Sequence, residues 1–213
     1  MDGPGAPSKA AAPSDASASL RSGRKLEYLT IGWNVVEAVV SIAAGAAAGS
    51  TALIGFGIDS AIESSSGAAL LWRLQDRADH EERERMTLRL VGVSFLLLAA
   101  YVAVDAGRNL LLQDRTSPSL LGIGIAVASL IVMPWLARRK RLVAADLGSQ
   151  AMNADSRQTS LCAYLSGILL GGLVLNAGLG WWWADSVAAL LMIPIIAREG
   201  IEALRGERCD HCA

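Results

Sequence analysis

Along the chain, apolar residues form six long runs separated by shorter polar stretches. The runs cover about residues 26–49, 51–74, 87–112, 118–137, 155–179 and 184–204. An apolar run of about 18 or more residues is long enough to cross the hydrocarbon core of a bilayer as an α-helix. The pattern therefore predicts an all-α membrane protein with six transmembrane helices.

The two ends of the chain differ in composition from this transmembrane domain. Residues 1–25 are rich in Ala, Ser, Pro and Gly. Such a segment buries too little apolar surface to fold, so we expect a disordered tail rather than a cleaved leader peptide. Residues 205–213 form a short tail that contains Cys and His and is too short for a folded cytoplasmic domain.

Basic residues lie on alternate connections between the predicted helices. Arg115 is the only basic residue in the connections after the first, third and fifth helices. Because cytoplasmic segments are enriched in Lys and Arg, both termini are expected in the cytoplasm. Three Trp residues, 181–183, lie where an external aromatic belt is expected. The basic residues on the predicted cytoplasmic side are Arg21, Arg24, Lys25, Arg73, Arg77, Arg83, Arg85, Arg89, Arg138, Arg139, Lys140, Arg141, Arg205 and Arg208.

Composition supports this fold class and narrows the possible functions. Hydrophobic residues make up 53% of the chain and charged residues 18%, and the mean hydropathy is +0.39. The net charge of −1 gives no reason to expect a nucleic-acid partner, and no nucleophile–base set suggests an enzyme. The frequent Ala, Gly and Arg residues favour a bacterial inner (plasma) membrane.

Two acidic residues interrupt the second apolar run. Asp59 and Glu63 are four positions apart, so their carboxylates share one face of the helix, roughly 6 Å apart along its axis. Two like charges at this spacing in a medium of low dielectric would repel each other unless a cation lies between them. The pair therefore predicts a cation site. The alternative is two neutral acids hydrogen-bonded to neighbouring helices.

The fifth run carries further candidate ligands. Gln158 and Cys162 are four positions apart, and Asp155 is seven before Cys162 on the same stripe. If helices two and five pack together, Asp59, Glu63, Gln158 and Cys162 would give four ligands, the number that tetrahedral Zn²⁺ prefers. Alternatively, Gln158 makes an interhelical hydrogen bond and Cys162 is a small packing residue.

Other polar residues mark a possible pathway or a second site. Glu37, on the first helix, could line the cation path together with Asp155. Asp185 begins the sixth helix, where it would interact with the helix dipole. In the C-terminal tail, Cys209, His211 and Cys212 could form a partial site for a soft or borderline metal, although so short a motif also arises by chance.

The second run resembles the second transmembrane helix of the cation diffusion facilitator family. The segment Gly-Ser-Thr-Ala-Leu-Ile-Gly-Phe-Gly-Ile-Asp-Ser-Ala-Ile-Glu-Ser has that family's Gly-Ser entry followed by two ligand positions one turn apart. The resemblance covers about residues 26–204 and includes the Ala-Asp-Ser openings of helices five and six. It implies export of a divalent metal, commonly Zn²⁺, in exchange for protons by a homodimer. Asp59 and Glu63 match the helix-two ligand positions, and Gln158 and Cys162 match those of helix five.

The sequence departs from the family pattern in two ways. The usual His or Asp with Asp on helix five is replaced by Gln158 and Cys162, and a thiol favours softer ions, so Cd²⁺, Fe²⁺ or another transition metal are alternatives to Zn²⁺. The family's C-terminal metal-sensing domain is not expected, so a homodimer would form through the transmembrane helices. No cofactor other than the transported ion is expected.

Two other functions are compatible with the same residues. The chain could be a non-transporting membrane protein that binds metal through its tail. It could also export small organic cations, with Glu63 as a proton-coupled acid and Trp residues at the substrate.

Overall fold

The computed structural model describes residues 13–73 and 80–205, and all of their regular secondary structure is α-helical. This confirms the prediction of an all-α fold. The helices are α1 (Pro13–Ala48), α2 (Thr51–Arg73), α3 (His80–Leu112), α4 (Leu120–Leu147), α5 (Gln150–Leu179) and α6 (Ala184–Arg205).

Four of these helices are long and apolar enough to cross a membrane. The apolar segments are Ser19–Ala48 in α1, Gly92–Leu112 in α3, Leu120–Leu147 in α4 and Asp155–Leu179 in α5. Helices α2 and α6 do not reach this level of apolarity; α2 carries two acids and contacts α1, α3, α5 and α6. A helix surrounded by protein needs little lipid-facing surface. The chain is a multi-pass membrane protein, and the count of six spans stays a prediction, as does the orientation of the termini.

The helices extend further than the apolar runs on the predicted cytoplasmic side. Helix α1 begins at Pro13, within the segment for which a disordered tail is expected, and residues 1–12 of that segment lie outside the described residues. In this added part of α1, a Cβ atom on Gly23 would lie 3.0 Å from Cε of Met152, so the segment packs against α5. Hydropathy marks where a chain leaves the apolar medium, whereas a helix continues as long as it finds packing partners.

The polar connection expected between the fourth and fifth runs is almost entirely helical. Only Gly148 and Ser149 separate α4 from α5. Gly148 has a φ of 59° and caps α4, and the Ser149 hydroxyl accepts a hydrogen bond from the Met152 amide at the start of α5. This tight turn brings the end of α4 alongside the beginning of α5.

Small residues allow close approach of α1 and α2. A Cβ on Gly57 would lie 3.0 Å from the backbone nitrogen of Ile42, and a Cβ on Gly45 would lie 2.9 Å from that of Ile54. Glycine at such contacts lets two backbones approach without a side chain between them. Asp59, the first candidate ligand, follows Gly57 by two positions, so this close contact between α1 and α2 also determines where Asp59 lies along the bundle.

Apolar side chains outside the core face the surroundings of the bundle. Val104 is 72% exposed and Ile131 is 69% exposed, whereas Phe56, Met133 and Leu169 in the interior are fully buried. This distribution is that of a protein whose outer surface contacts lipid.

Candidate metal centre

Buried polar side chains lie between α1, α2, α4 and α5. An ionisable residue inside a membrane helix costs about 2.5–3.5 kcal/mol on insertion scales, so each one needs a physical reason. On α1, polar residues recur every three or four positions along one buried face. The ionisable members of the whole set are Glu27, Glu37, Asp59, Glu63, Lys140, Asp155 and Cys162, and the neutral ones include Thr30, Asn34, Ser41, Ser60, Ser129, Ser156, Thr159 and Ser166.

Asp59 and Glu63 both face the interior of the bundle. Their exposed fractions are 6% and 2%, so neither carboxylate is directed at lipid. Oε1 of Glu63 accepts a hydrogen bond of 2.8 Å from the Thr159 hydroxyl. Oε2 of Glu63 is buried and has no hydrogen-bond partner among the described residues. The α2–α5 contact that we expected therefore exists, and it leaves one carboxylate oxygen of Glu63 unpaired.

The ionisable neighbours that act on Asp59 are all acidic. They are Glu63 on the same helix, Glu37 on α1 and Glu199 on α6. Acidic side chains from three helices thus act on Asp59, and a bound cation would relieve the repulsion between their ionised forms.

The two expected α5 ligands have different surroundings. Cys162 is 1% exposed, and its thiol contacts Oε1 of Glu37 at 3.7 Å. Gln158 is half-buried, and its Nε2 atom is buried with no partner in the part of the chain that the structure describes. The described residues contain no group of three or more His, Cys, Asp or Glu side chains close enough to hold a metal ion as they stand. The four-ligand set with Asp59 and Glu63 therefore stays a prediction.

Glu37 is fixed by hydroxyl groups from two other helices. Ser60 of α2 donates to its Oε1 atom at 3.2 Å, and Ser129 of α4 lies 3.1 Å from both carboxylate oxygens. Ser166 of α5 in turn donates to the Ser129 hydroxyl at 3.0 Å. Glu37 was expected along the ion path. The serines that hold it were missed, because a single Ser in an apolar run gives no signal of its own.

Asp155 forms a buried cluster with two residues that sequence reasoning did not connect to it. Nζ of Lys140 contacts Oδ2 of Asp155, and it lies 3.3 Å from Glu27 and 3.4 Å from the Thr159 hydroxyl. Lys140 lies within α4 and has no solvent exposure, so its placement in the connection after the fourth run is wrong, whereas the side of the membrane on which it lies stays a prediction. The two carboxylates from α1 and α5 compensate the buried ammonium group. The repeating polar positions of α1, beginning at Glu27, were a signal that could have revealed this cluster.

Asp185 holds the beginning of α2. Its Oδ1 atom accepts a hydrogen bond from the Ser50 hydroxyl, and Oδ2 lies 3.4 Å from the Ala52 amide. The expected interaction with a helix N-terminus is therefore made with α2 as well as within its own first turn in α6. The proposed tail ligands Cys209, His211 and Cys212 lie outside the described residues.

Comparison with known proteins is consistent with this arrangement. Residues 28–206 match the family model described as the cation efflux transmembrane domain. The chain is 27% identical over 113 residues to the cation-efflux pump FieF of Shewanella oneidensis, which covers 53% of this chain and 36% of that protein. It is also 27% identical over 185 residues to transmembrane protein 163 of Xenopus laevis, covering 84% of this chain and 65% of the relative.

The chain thus spans about a third and about two thirds of the lengths of these two relatives. The family model covers most of the chain, from the middle of α1 to the end of α6, and includes every helix that contributes to the buried polar region. The chain therefore belongs to the cation diffusion facilitator family, through its cation efflux transmembrane domain.

Proposed function

We propose that this chain is a proton-coupled exporter of divalent metal cations, with Zn²⁺ as the first candidate cargo, in a bacterial inner membrane. The observation that carries the proposal is the buried pair Asp59 and Glu63, in which the ionisable neighbours of Asp59 are acidic and one oxygen of Glu63 is unpaired among the described residues. A divalent ion neutralises two carboxylates, which no hydrogen bond between them can do. The cation-efflux relative and the family match support the same activity.

In the proposed cycle, an ion enters from the cytoplasm, loses water and binds between α2 and α5. Asp59 and Glu63 supply most of the charge, and Gln158 and Cys162 complete the shell. Because these side chains are not gathered around one point in the described structure, binding must draw them together. Protons from outside then compete for the same ligands and release the ion. Rocking of the helices around the site alternates its access.

A flux assay in proteoliposomes tests this function. The purified chain should carry Zn²⁺ or Cd²⁺ against a proton gradient, followed by a metal-sensitive dye and a pH-sensitive dye inside the vesicles. A double variant, Asp59→Asn with Glu63→Gln, should lose transport, whereas Asp114→Asn, which changes an exposed acid outside the helices, should not. Full transport by the double variant would end the proposal.

Two further parts of the proposal have their own tests. A homodimer joined through the transmembrane helices should appear as twice the chain mass in native mass spectrometry from detergent. Cys209, His211 and Cys212 would capture metal before transport, so deletion of residues 209–213 should raise the metal concentration needed for half-maximal flux. It should leave the maximal rate unchanged.

A further inference from the structure

We propose that α1 contributes directly to the ion site, with Glu37 and Asn34 as ligands, so that three helices rather than two hold the cargo. The inference rests on the proposed function, because it concerns the same ion. It adds a carboxylate and an amide to the ligands expected from α2 and α5. The resulting coordination shell would contain both oxygen and sulfur ligands, which suits a divalent ion of borderline softness.

The first observation is the state of the Asn34 side chain. Asn34 is completely buried, and neither its Oδ1 nor its Nδ2 atom makes a hydrogen bond within the described residues. The amide lies beside the Glu63 carboxylate and is near enough to act on it as a hydrogen-bond donor, although the geometry falls short of a full hydrogen bond. Oε2 of Glu63 is likewise unpaired.

Buried polar groups in native proteins are nearly always paired, so adjacent unpaired groups require an explanation. An amide oxygen and a carboxylate oxygen are both acceptors, and acceptors that share a buried space are satisfied together by a cation. A bound divalent ion between Asn34 Oδ1 and Glu63 Oε2 accounts for these two oxygens at once.

The second observation is independent and concerns Glu37. Its carboxylate contacts the Cys162 thiol at 3.7 Å, which brings an α1 oxygen ligand and an α5 sulfur ligand together. Ser60 and Ser129 hold both carboxylate oxygens in place. Metal ligands are commonly oriented by such outer hydrogen bonds, and the hydroxyls of α2 and α4 serve this purpose for Glu37.

The same face of α1 provides a matched control. Asn34 and Glu37 are preceded on it by Thr30, whose hydroxyl bonds to the Leu26 carbonyl of its own helix. Thr30 is buried and polar, so substituting it tests for a general effect of changing this face.

Cadmium binding to the purified full-length chain tests the inference. Cys209→Ser and Cys212→Ser are first introduced, so that the ultraviolet charge-transfer band of a Cd²⁺–thiolate bond reports Cys162 alone. In this background Glu37→Gln and Asn34→Leu should each weaken Cd²⁺ binding by about 10- to 100-fold. Thr30→Val should bind as the background does.

A gain-of-function variant keeps the test informative if a loss variant fails to fold. If Asn34 is a ligand, Asn34→Asp adds a charged oxygen donor and should tighten Cd²⁺ binding. If the amide has only a structural role, the added buried acid lowers stability and does not tighten binding, which would overturn the assignment.

The possible outcomes distinguish a failure of this inference from a failure of the proposed function on which it rests. A background protein that neither binds Cd²⁺ nor transports it refutes the transporter proposal itself. If Asp59→Asn abolishes binding while Glu37→Gln and Asn34→Leu bind like the control, only the contribution of α1 is refuted, and a site made by α2 and α5 remains.

Discussion

The hydroxyl of Thr159 donates a hydrogen bond of 2.8 Å to Oε1 of Glu63, and so joins α5 to the acidic pair of α2. The same hydroxyl oxygen lies 3.4 Å from Nζ of Lys140, which is held by Glu27 and Asp155. Thr159 is thus the link between the candidate ion site and the buried charge cluster of α1, α4 and α5. A change at Glu63 can therefore be transmitted through Thr159 to the helices that form the cluster.

Replacing Thr159 by Val should impair the ion site without changing the shape of the core. Valine is nearly isosteric but cannot donate to Glu63, whose other oxygen is already unpaired. Because such outer hydrogen bonds orient ligands, we expect metal affinity to fall by about 10- to 100-fold. Isothermal titration with Zn²⁺ in detergent measures this change.

Two variants control for the loss of a hydroxyl. Thr159→Ser keeps the donor and should restore most of the affinity, whereas Thr30→Val removes a hydroxyl that bonds only within α1 and should leave affinity unchanged. Equal affinities of Thr159→Val and the unmodified chain would show that the bond to Glu63 has no part in binding.

Removal of the buried ammonium group should strongly destabilise the fold. Lys140→Met leaves Glu27 and Asp155 buried without a counter-ion, and breaking a buried pair in this way costs about 3–5 kcal/mol. Arg138, two positions earlier and exposed, gives the matched control. Arg138→Met should change the unfolding free energy by less than about 0.5 kcal/mol. Chemical unfolding in mixed micelles compares the two.

The same cluster can be removed as a unit. When all members of a buried ion cluster are replaced by neutral groups, much of the lost stability commonly returns. The triple variant Lys140→Met, Glu27→Gln, Asp155→Asn should therefore be more stable than Lys140→Met alone. A triple variant that is less stable than the single one would mean that the acids contribute through contacts other than the ion pair.

Close approach of α1 and α2 gives a third prediction. A Cβ on Gly57 would lie 2.7 Å from Cγ1 of Ile42 and 3.1 Å from the Ala38 carbonyl oxygen, so Gly57→Ala must push the helices apart. We expect a loss of about 1–3 kcal/mol in stability and lower transport, because Asp59 moves with this segment.

Gly107 provides the comparison, since a Cβ there meets no atom within 4 Å. Gly107→Ala should be neutral or stabilising by up to about 1 kcal/mol, through helix propensity alone. Thermal unfolding and flux of the two variants decide the matter. Unaltered flux in a stable Gly57→Ala protein would contradict the idea that this contact sets the position of Asp59.

The fold class followed from the sequence because long apolar runs have few alternatives to membrane helices. The helix ends were less predictable on the predicted cytoplasmic side, where α4 continues through Lys140 to Leu147. A charged residue ends an apolar run whether it enters water or is buried against partners. Only the positions of Glu27 and Asp155 in the folded bundle distinguish the two cases for Lys140.

The candidate site was predictable where its residues are rare in apolar helices. Asp59 and Glu63 stand out because a carboxylate in a transmembrane helix is costly. Ser129 does not stand out, because serine is common in such helices and its role depends on its contact with Glu37 across the interface between α1 and α4. Contacts between small polar residues that are far apart in the sequence leave no local sequence pattern from which they could be predicted.

The thiol of Cys162 should determine which ions the site prefers. Sulfur ligands favour softer ions, and Cys162 is the free cysteine of the described bundle, fully enclosed beside Glu37. Cys162→Ser keeps the size of the side chain but replaces sulfur by oxygen. We expect the ratio of Cd²⁺ to Zn²⁺ affinity to fall by about tenfold, which corresponds to about 1.4 kcal/mol, while Zn²⁺ flux is retained in part. Competition between the two ions in the proteoliposome assay measures the ratio. The variant Ser160→Ala, two positions before Cys162 on α5, removes a hydroxyl that bonds to the Ser156 carbonyl of its own helix and should keep the original ratio. If Cys162→Ser also keeps it, the cysteine is a packing residue, and selectivity must come from the carboxylates and amides alone.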